Sequence, residues 1–281
     1  MNDFQQWWRQ IPSLMDPVLL EIGPLRIQYY GLMYLVAFGL TYGLVSYRLK
    51  TENRFQVSAQ QLQQLFTHLI IGLVLGARLG YVLFYNLGYY LKHPLEIILP
   101  FAWDNGLVFT GISGMSYHGG LIGTLLGAWL YLRRTDMPLA TMADLVVPAI
   151  PLGYTFGRLG NFINGELYGR ATRHPVGMIF PAAGDGLPRH PSQLYEAFFE
   201  GIVLFAVLWS LRRRVRTPGA MLALYLIGYG AVRFAIEYFR QPDDHLGFIW
   251  LSLTMGQILC LLMMIAGVSG LAYLRRGTRG G

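Results

Sequence analysis

The chain has 281 residues, of which 54% are hydrophobic and only 13% charged, against roughly 25% charged in soluble domains. That balance excludes a water-soluble globule and makes lipid part of the solvent. The net charge of +7 fits loops that carry Lys and Arg for topology, not a nucleic-acid surface, and one cysteine, Cys260, excludes an intrachain disulfide or a multi-cysteine metal site.

Residues 1–26 carry no cleavable signal-peptide pattern. Trp7 and Trp8 beside Arg9 suit an interfacial N-terminal arm, with amphipathic rings at head-group level. A bilayer core of about 30 Å needs about 20 mostly apolar helical residues per span. Seven such stretches follow, near 27–47, 63–90, 114–132, 140–160, 193–211, 219–239 and 246–273. The expected architecture is therefore an all-α polytopic membrane protein, one membrane-embedded domain over 1–281 with no internal repeat. Asp144 in the fourth stretch, Glu196 and Glu200 in the fifth, and Arg233 and Glu237 in the sixth set those three apart from plain lipid-facing spans.

Basic residues set the orientation. Arg48, Lys50 and Arg54 follow the first span and Arg133 and Arg134 the third. Arg212, Arg213, Arg214 and Arg216 follow the fifth, and Arg275, Arg276 and Arg279 the seventh. Only Glu52, Asp136 and Asp144 face them. The positive-inside rule makes this side cytoplasmic, with the N-terminus outside, the C-terminus inside and a small outer head built from the external loops. Glycines at four-residue spacing (Gly72, Gly76 and Gly80; Gly119, Gly123 and Gly127; Gly153 and Gly157) predict close helix packing.

The outer side breaks the charge rule in one place. Arg158, Arg170, Arg173 and Arg189 fall between spans four and five, and Arg233 and Arg240 at the outer end of span six. Two explanations stand: an anion site, since Arg forks bind phosphate bidentately, or ion pairs with nearby carboxylates. Arg233 and Glu237 are i and i+4 on one helix face, so Glu237 is placed to orient Arg233. Arg78 in span two is open between structure and function.

The segment from Gly157 to Arg170, GRLGNFINGELYGR, is too polar to face lipid and must line or cover a cavity over the outer-loop region 161–192. Gly160, Gly165 and Gly169 permit positive φ or close backbone approach, and Asn161 and Asn164 both donate and accept hydrogen bonds. Among the histidines, His68 and His93 suit structural or exposed roles. His118, in GMSYHGG at the outer entry of span three, is a candidate general base or a hydrogen-bond partner of the arginines. No histidine pair has metal-ligand spacing.

These residues resemble the bacterial prolipoprotein diacylglyceryl transferase family. GRLGNFINGE (157–166) is similar to the family signature. YYGLMYLVAF, GARLGYVLFYN, GMSYHGGLIG, LPRHPSQLYEA and IGYGAVRFAIEYFRQPD match in the family's order, covering six of seven spans. The resemblance implies transfer of the diacylglyceryl group of phosphatidylglycerol to the lipobox cysteine of a prolipoprotein signal peptide. The products are a thioether and glycerol phosphate, and the reaction takes place at the outer face of the inner membrane without metal or cofactor. It places Arg158 and Arg233 on the phosphate and His118 as the base. Tyr30, Asn161, Glu166 and Gly169 fall on motif positions and are assigned to substrate orientation, and Arg189 and Arg240 lie within matching motifs. A transporter for an anionic substrate and a rhomboid-like protease are the alternatives, the latter from Gly111-Ile112-Ser113-Gly114, against which His174, His190 and His245 all fall in outer loops and not on a later span.

Overall fold

The computed structural model describes residues 3–23, 25–99, 101–103, 107–109, 114–135, 137–241, 248–250 and 253–277. Helix α1 (Asp3–Gln10) leads through strands β1 (Val18–Ile22) and β2 (Leu25–Gln28) into helices α2 (Tyr29–Thr51), α3 (Ala59–Tyr85) and α4 (Leu87–Lys92). Strands β3 (Phe101–Trp103) and β4 (Leu107–Phe109) precede α5 (Tyr117–Leu132), α6 (Leu139–Val146) and α7 (Ile150–Ile163). The hairpin of β5 (Met178–Ile179) and β6 (Pro188–Arg189) is followed by α8 (Ser192–Tyr195), a π-helical stretch (Glu196–Val203) and α9 (Leu204–Leu211). Helix α10 (Ala220–Ile236), strands β7 (Phe248–Trp250) and β8 (Leu253–Thr254), and α11 (Met255–Gly277) complete the order.

The protein is mostly helical and polytopic. Among the described residues, five helical runs are long and apolar enough to cross a membrane, Tyr29–Thr51, Ala59–Tyr85, Leu139–Ile163, Ser192–Leu211 and Met255–Arg276, and Ala220–Ile236 is a shorter apolar helix. This amends the expected spans. The second starts and ends earlier than 63–90, the last begins at Met255 because β7 and β8 occupy the residues before it, and the third is the 16-residue α5, about 24 Å long at 1.5 Å per residue. Short strands between the helices also qualify the all-α expectation. Leu35, Phe84 and Ile265 are 72%, 75% and 61% exposed, which only an apolar solvent tolerates on this scale.

The chain forms two compact units. One comprises residues 22–25 and 53–139. Ser58 caps α3 in a reciprocal box, accepting from the Gln61 amide at 3.1 Å while the Gln61 side chain accepts from the Ser58 amide at 2.8 Å. The glycine stripes then bring α3 and α5 together: a Cβ on Gly76 would lie 2.7 Å from the Cα of Gly123, and one on Gly80 2.7 Å from that of Gly119. Arg78 donates to the carbonyls of Ile97 (2.8 Å), Glu96 (2.5 Å) and Gly114 (3.3 Å), and stands over the Tyr90 ring.

The other unit comprises residues 1–21, 26–52 and 140–281. Helix α2 packs against α7, with Gly153 under Ala37 and Thr41, and Gly160 under Tyr30 and Met33. Gly157 departs from the packing expectation, since a Cβ there meets nothing within 4 Å. At one end of this unit the buried Arg48 is held by Glu52 (2.8 and 2.9 Å) and by the carbonyls of Asp144 and Leu145. Asp144 accepts from the amides of Gly219 (2.8 Å), Met221 (3.1 Å) and Leu222 (3.2 Å), capping α10 from a distant part of the chain. Helix α10 runs from this end to the other, where it delivers Arg233.

Candidate active site

At that far end, Tyr154, Arg158 and Asn161 share one face of α7 at i, i+4 and i+7. Glu196 and Glu200 project from the π-helical stretch and are 0% and 1% exposed. Single π turns recur at functional sites because they re-aim side chains within a helix. Oε2 of Glu196 lies 2.7 Å from Nε of Arg158 and 3.0 Å from Nη1 of Arg233, while its Oε1 lies 3.2 Å from Nη1 of Arg240. Arg233 also meets Glu237 at 2.9 Å and Glu200 at 3.7 Å. Three guanidinium groups thus face three carboxylates, the balance that keeps such charges tolerable out of water. Three atoms in this cluster, Nη1 of Arg233, Oε1 of Glu200 and Oε2 of Glu237, are buried without a hydrogen-bond partner among the described residues.

The polar contacts continue into the signature segment. Arg158 donates through Nε to the Tyr154 hydroxyl at 2.6 Å and through Nη1 to Oδ1 of Asn161 at 3.1 Å. Asn161 in turn donates to Oε1 of Glu166 at 2.8 Å, and Asn164 reaches the same oxygen at 3.5 Å. Oδ1 of Asn164 is buried with no partner among the described residues. Glu237 accepts from the Thr254 hydroxyl at 3.1 Å, and Thr254 and Gln257 cap α11 reciprocally.

Beyond α7 the chain turns back with Gly165 at φ +68° and Leu167 at φ +58°, the one non-glycine in left-handed backbone among the described residues. It then runs between two neighbouring segments. The Gly169 amide donates to the His190 carbonyl at 2.8 Å and the Arg170 amide to the Phe239 carbonyl at 2.9 Å. A Cβ on Gly169 would lie 2.7 Å from the His190 oxygen, so closeness of its own backbone accounts for this glycine. The crossing gathers three arginines. Arg170 donates to the Arg240 carbonyl at 2.9 Å, and Arg189 contacts Asp185 at 2.5 Å and lies over the Tyr168 ring. The Arg189 bond, aided by the Leu187 amide, holds the Asp185 carboxyl below the usual carboxylate range. Burial, with His174 nearby, lowers His190.

The structure therefore brings together most of the residues expected from sequence: Arg158, Asn161, Asn164, Glu166, Arg233, Glu237 and Arg240 join one network, with Gly169 and Arg189 in the adjoining crossing. Tyr30 packs on the Gly160 face of α7 and lies 3.1 Å from the Tyr34 hydroxyl. His118 belongs to the other unit, exposed in the first turn of α5. The arginines of this cluster are ion-paired with Glu196, Glu200 and Glu237. Glu196, Glu200 and Tyr154 were missed as site residues. The available signal was a pair of carboxylates at i and i+4 inside an apolar run, matching arginines on two other spans. Cys260 is buried and unbonded. Ser113, Asp136, His245 and Arg279 lie outside the described residues.

The family model described as prolipoprotein diacylglyceryl transferase matches residues 17–273. The chain is 49% identical over 277 residues to a Chlorobaculum tepidum protein, covering 98% of this chain and 96% of that one. It is 48% identical to one from Bordetella parapertussis (92% and 94% covered) and 44% identical to one from Treponema denticola (94% of each). All three relatives are named phosphatidylglycerol–prolipoprotein diacylglyceryl transferase.

Proposed function

The chain belongs to the prolipoprotein diacylglyceryl transferase family and moves the diacylglyceryl group of phosphatidylglycerol to prolipoproteins, and from that premise we propose that the Arg158–Arg233 cluster receives the phosphate. The single observation that carries this assignment is the convergence of Arg158, Arg233 and Arg240 on one buried carboxylate, Glu196. In the resting enzyme Glu196 balances the three cations. A lipid phosphate then meets an arginine cluster already assembled and desolvated, where charge is worth most.

The reaction is displacement at carbon. The lipobox thiolate forms an S–C bond with the diacylglyceryl carbon, the C–O bond to phosphate breaks, and glycerol phosphate leaves with the bonding pair. The thiol proton passes to His118, since the thiolate is the nucleophile. Arg158 and Arg233 stabilise the charge gathering on the departing phosphate. Asn161 and Glu166 orient the Arg158 side, Glu237 orients Arg233, and the unpaired Oδ1 of Asn164 suits a hydroxyl of the glycerol head group. Tyr30 lines the approach beside Gly160. Arg189, Arg240 and Gly169 shape the rim. No step calls for a metal or cofactor.

We propose a transferase of seven spans in the bacterial inner membrane, with the N-terminus outside and the site facing the periplasm. The basic ends of α2, α9 and α11 support this orientation. Transfer to prolipoprotein displaces the transporter and protease alternatives. Purified protein, phosphatidylglycerol in detergent and a lipobox peptide test the reaction. A diacylglyceryl mass gain equal to the glycerol phosphate released, and absent from a Cys→Ser peptide, is expected. A cut peptide, or phosphate release without a peptide adduct, would refute it.

A further inference from the structure

We infer that Tyr154, backed by Glu200, is a positioning residue that sets the Arg158 guanidinium for the departing phosphate; this rests on the reading of Arg158 given above. Tyr154 touches Arg158 in two ways. Its hydroxyl accepts from Nε at 2.6 Å, and its ring stands 4.8 Å from Cζ. The first contact fixes an edge of the guanidinium and the second fixes its plane. The hydroxyl proton points elsewhere, to Oε2 of Glu200 at 2.6 Å, with Oε2 of Glu196 farther off at 3.3 Å. Glu200 therefore dictates which way the phenol points, and only its lone pairs are left for Arg158.

The rest of the guanidinium shows what this accomplishes. Nη1 bonds Asn161 at 3.1 Å, while Nη2 makes no bond among the described residues. With Nε and Nη1 occupied and the plane set, Nη2 remains for a ligand. Arg side chains are long and flexible, so an unheld fork reaches a bound anion in many poses, few of them aligned with the transition state. Glu200 also lies 3.7 Å from Nη1 of Arg233, with its Oε1 buried and lacking a hydrogen bond. One carboxylate thus touches both arginines, Arg233 directly and Arg158 through the phenol. Nothing at Tyr154 touches the reacting atoms in this account. Its shortest contact with an arginine is the one to Arg158.

Steady-state kinetics of Tyr154→Phe, Glu200→Leu and the double variant, with phosphatidylglycerol and a lipobox peptide, test the inference. Phe keeps the ring but removes the hydroxyl from Nε, which is left with Oε2 of Glu196 at 2.7 Å. The charge stays available to the ground-state phosphate and loses its alignment, so kcat should fall on the order of tenfold with KM for the lipid within about twofold. Glu200→Leu should lower kcat at least as much, since Glu200 also lies 3.7 Å from Arg233, and the double variant should be no worse than Glu200→Leu, because Tyr154 is oriented through that carboxylate. Wild-type kcat in Tyr154→Phe, or fully multiplicative losses, would overturn the inference. If Tyr154→Phe does not fold, Glu200→Leu alone decides: lower kcat at unchanged KM supports it, wild-type kcat overturns it. Arg158→Ala separates the two levels. An active Arg158→Ala enzyme removes the phosphate reading itself, whereas an inactive one beside a normal Tyr154→Phe removes only the positioning role.

Discussion

Oε2 of Glu196 lies 2.7 Å from Nε of Arg158, in a carboxylate with no exposed surface. That carboxylate is also shared with Arg233 and Arg240, so removing its charge strands three buried cations at once. Breaking one buried pair typically costs about 3–5 kcal/mol. Glu196→Gln, nearly identical in shape, should therefore melt well below the wild type in detergent and lose most turnover. An unchanged melting curve would mean that the cluster is wetted enough to need no partner.

The α3–α5 contact is set by missing side chains. A Cβ at Gly76 already lies 2.7 Å from the Cα of Gly123, so Gly76→Leu must force the helices apart, whereas a Cβ at Gly88 meets nothing within 4 Å. Overpacking of this kind costs typically about 1–3 kcal/mol. Gly76→Leu should lower the melting temperature and Gly88→Ala should leave it unchanged. Equal effects from both would dismiss the close-packed interface.

Asp185 supplies a pH dependence outside the spans. Its carboxyl is held below the ordinary value by Arg189 and the Leu187 amide. A folded-state value below the unfolded one means that the contribution is present above the ordinary carboxylate pKa. It is lost as pH falls through the lower folded value. Amides of residues 181–189 should lose protection, relative to their intrinsic exchange rates, only on strong acidification, and Asp185→Asn should show low protection throughout. Loss of protection already near neutral pH would contradict the assignment.

His118→Gln should lose most activity. If His118 removes the thiol proton, raising the pH should restore part of the rate by supplying thiolate from solution. A loss of the same size at every pH would make His118 a positioning residue instead.

Much of this was legible in the sequence, for identifiable reasons. Glycines four apart can serve little else in a helix, and the α3–α5 stripes met as expected. Gly157 did not, because periodicity cannot tell a packed face from an open one. The polar run 157–170 announced a site because lipid cannot satisfy it. What covered the arginines was hidden, since Glu196 and Glu200 are distant in sequence from Arg158 and Arg233 and only helix packing joins them. Tyr154 carried no local signal at all, as tyrosines are common in apolar spans. The break before α7 and the late start of α11 depend on Pro148 in its 3-10 turn (Val147–Ala149) and on the strands β7 and β8, details below the resolution of a hydropathy window.

Arg158 is proposed to stabilise the phosphate as it leaves. The most direct test is kcat for phosphatidylglycerol turnover by folded Arg158→Ala, with Arg158→Lys beside it. Loss of a donor to developing charge costs about 10²–10³ in kcat. Arg158→Ala should lose at least about 10²-fold at near-normal melting, with Lys restoring little because it lacks the planar fork. Near-wild-type turnover in either variant would contradict it.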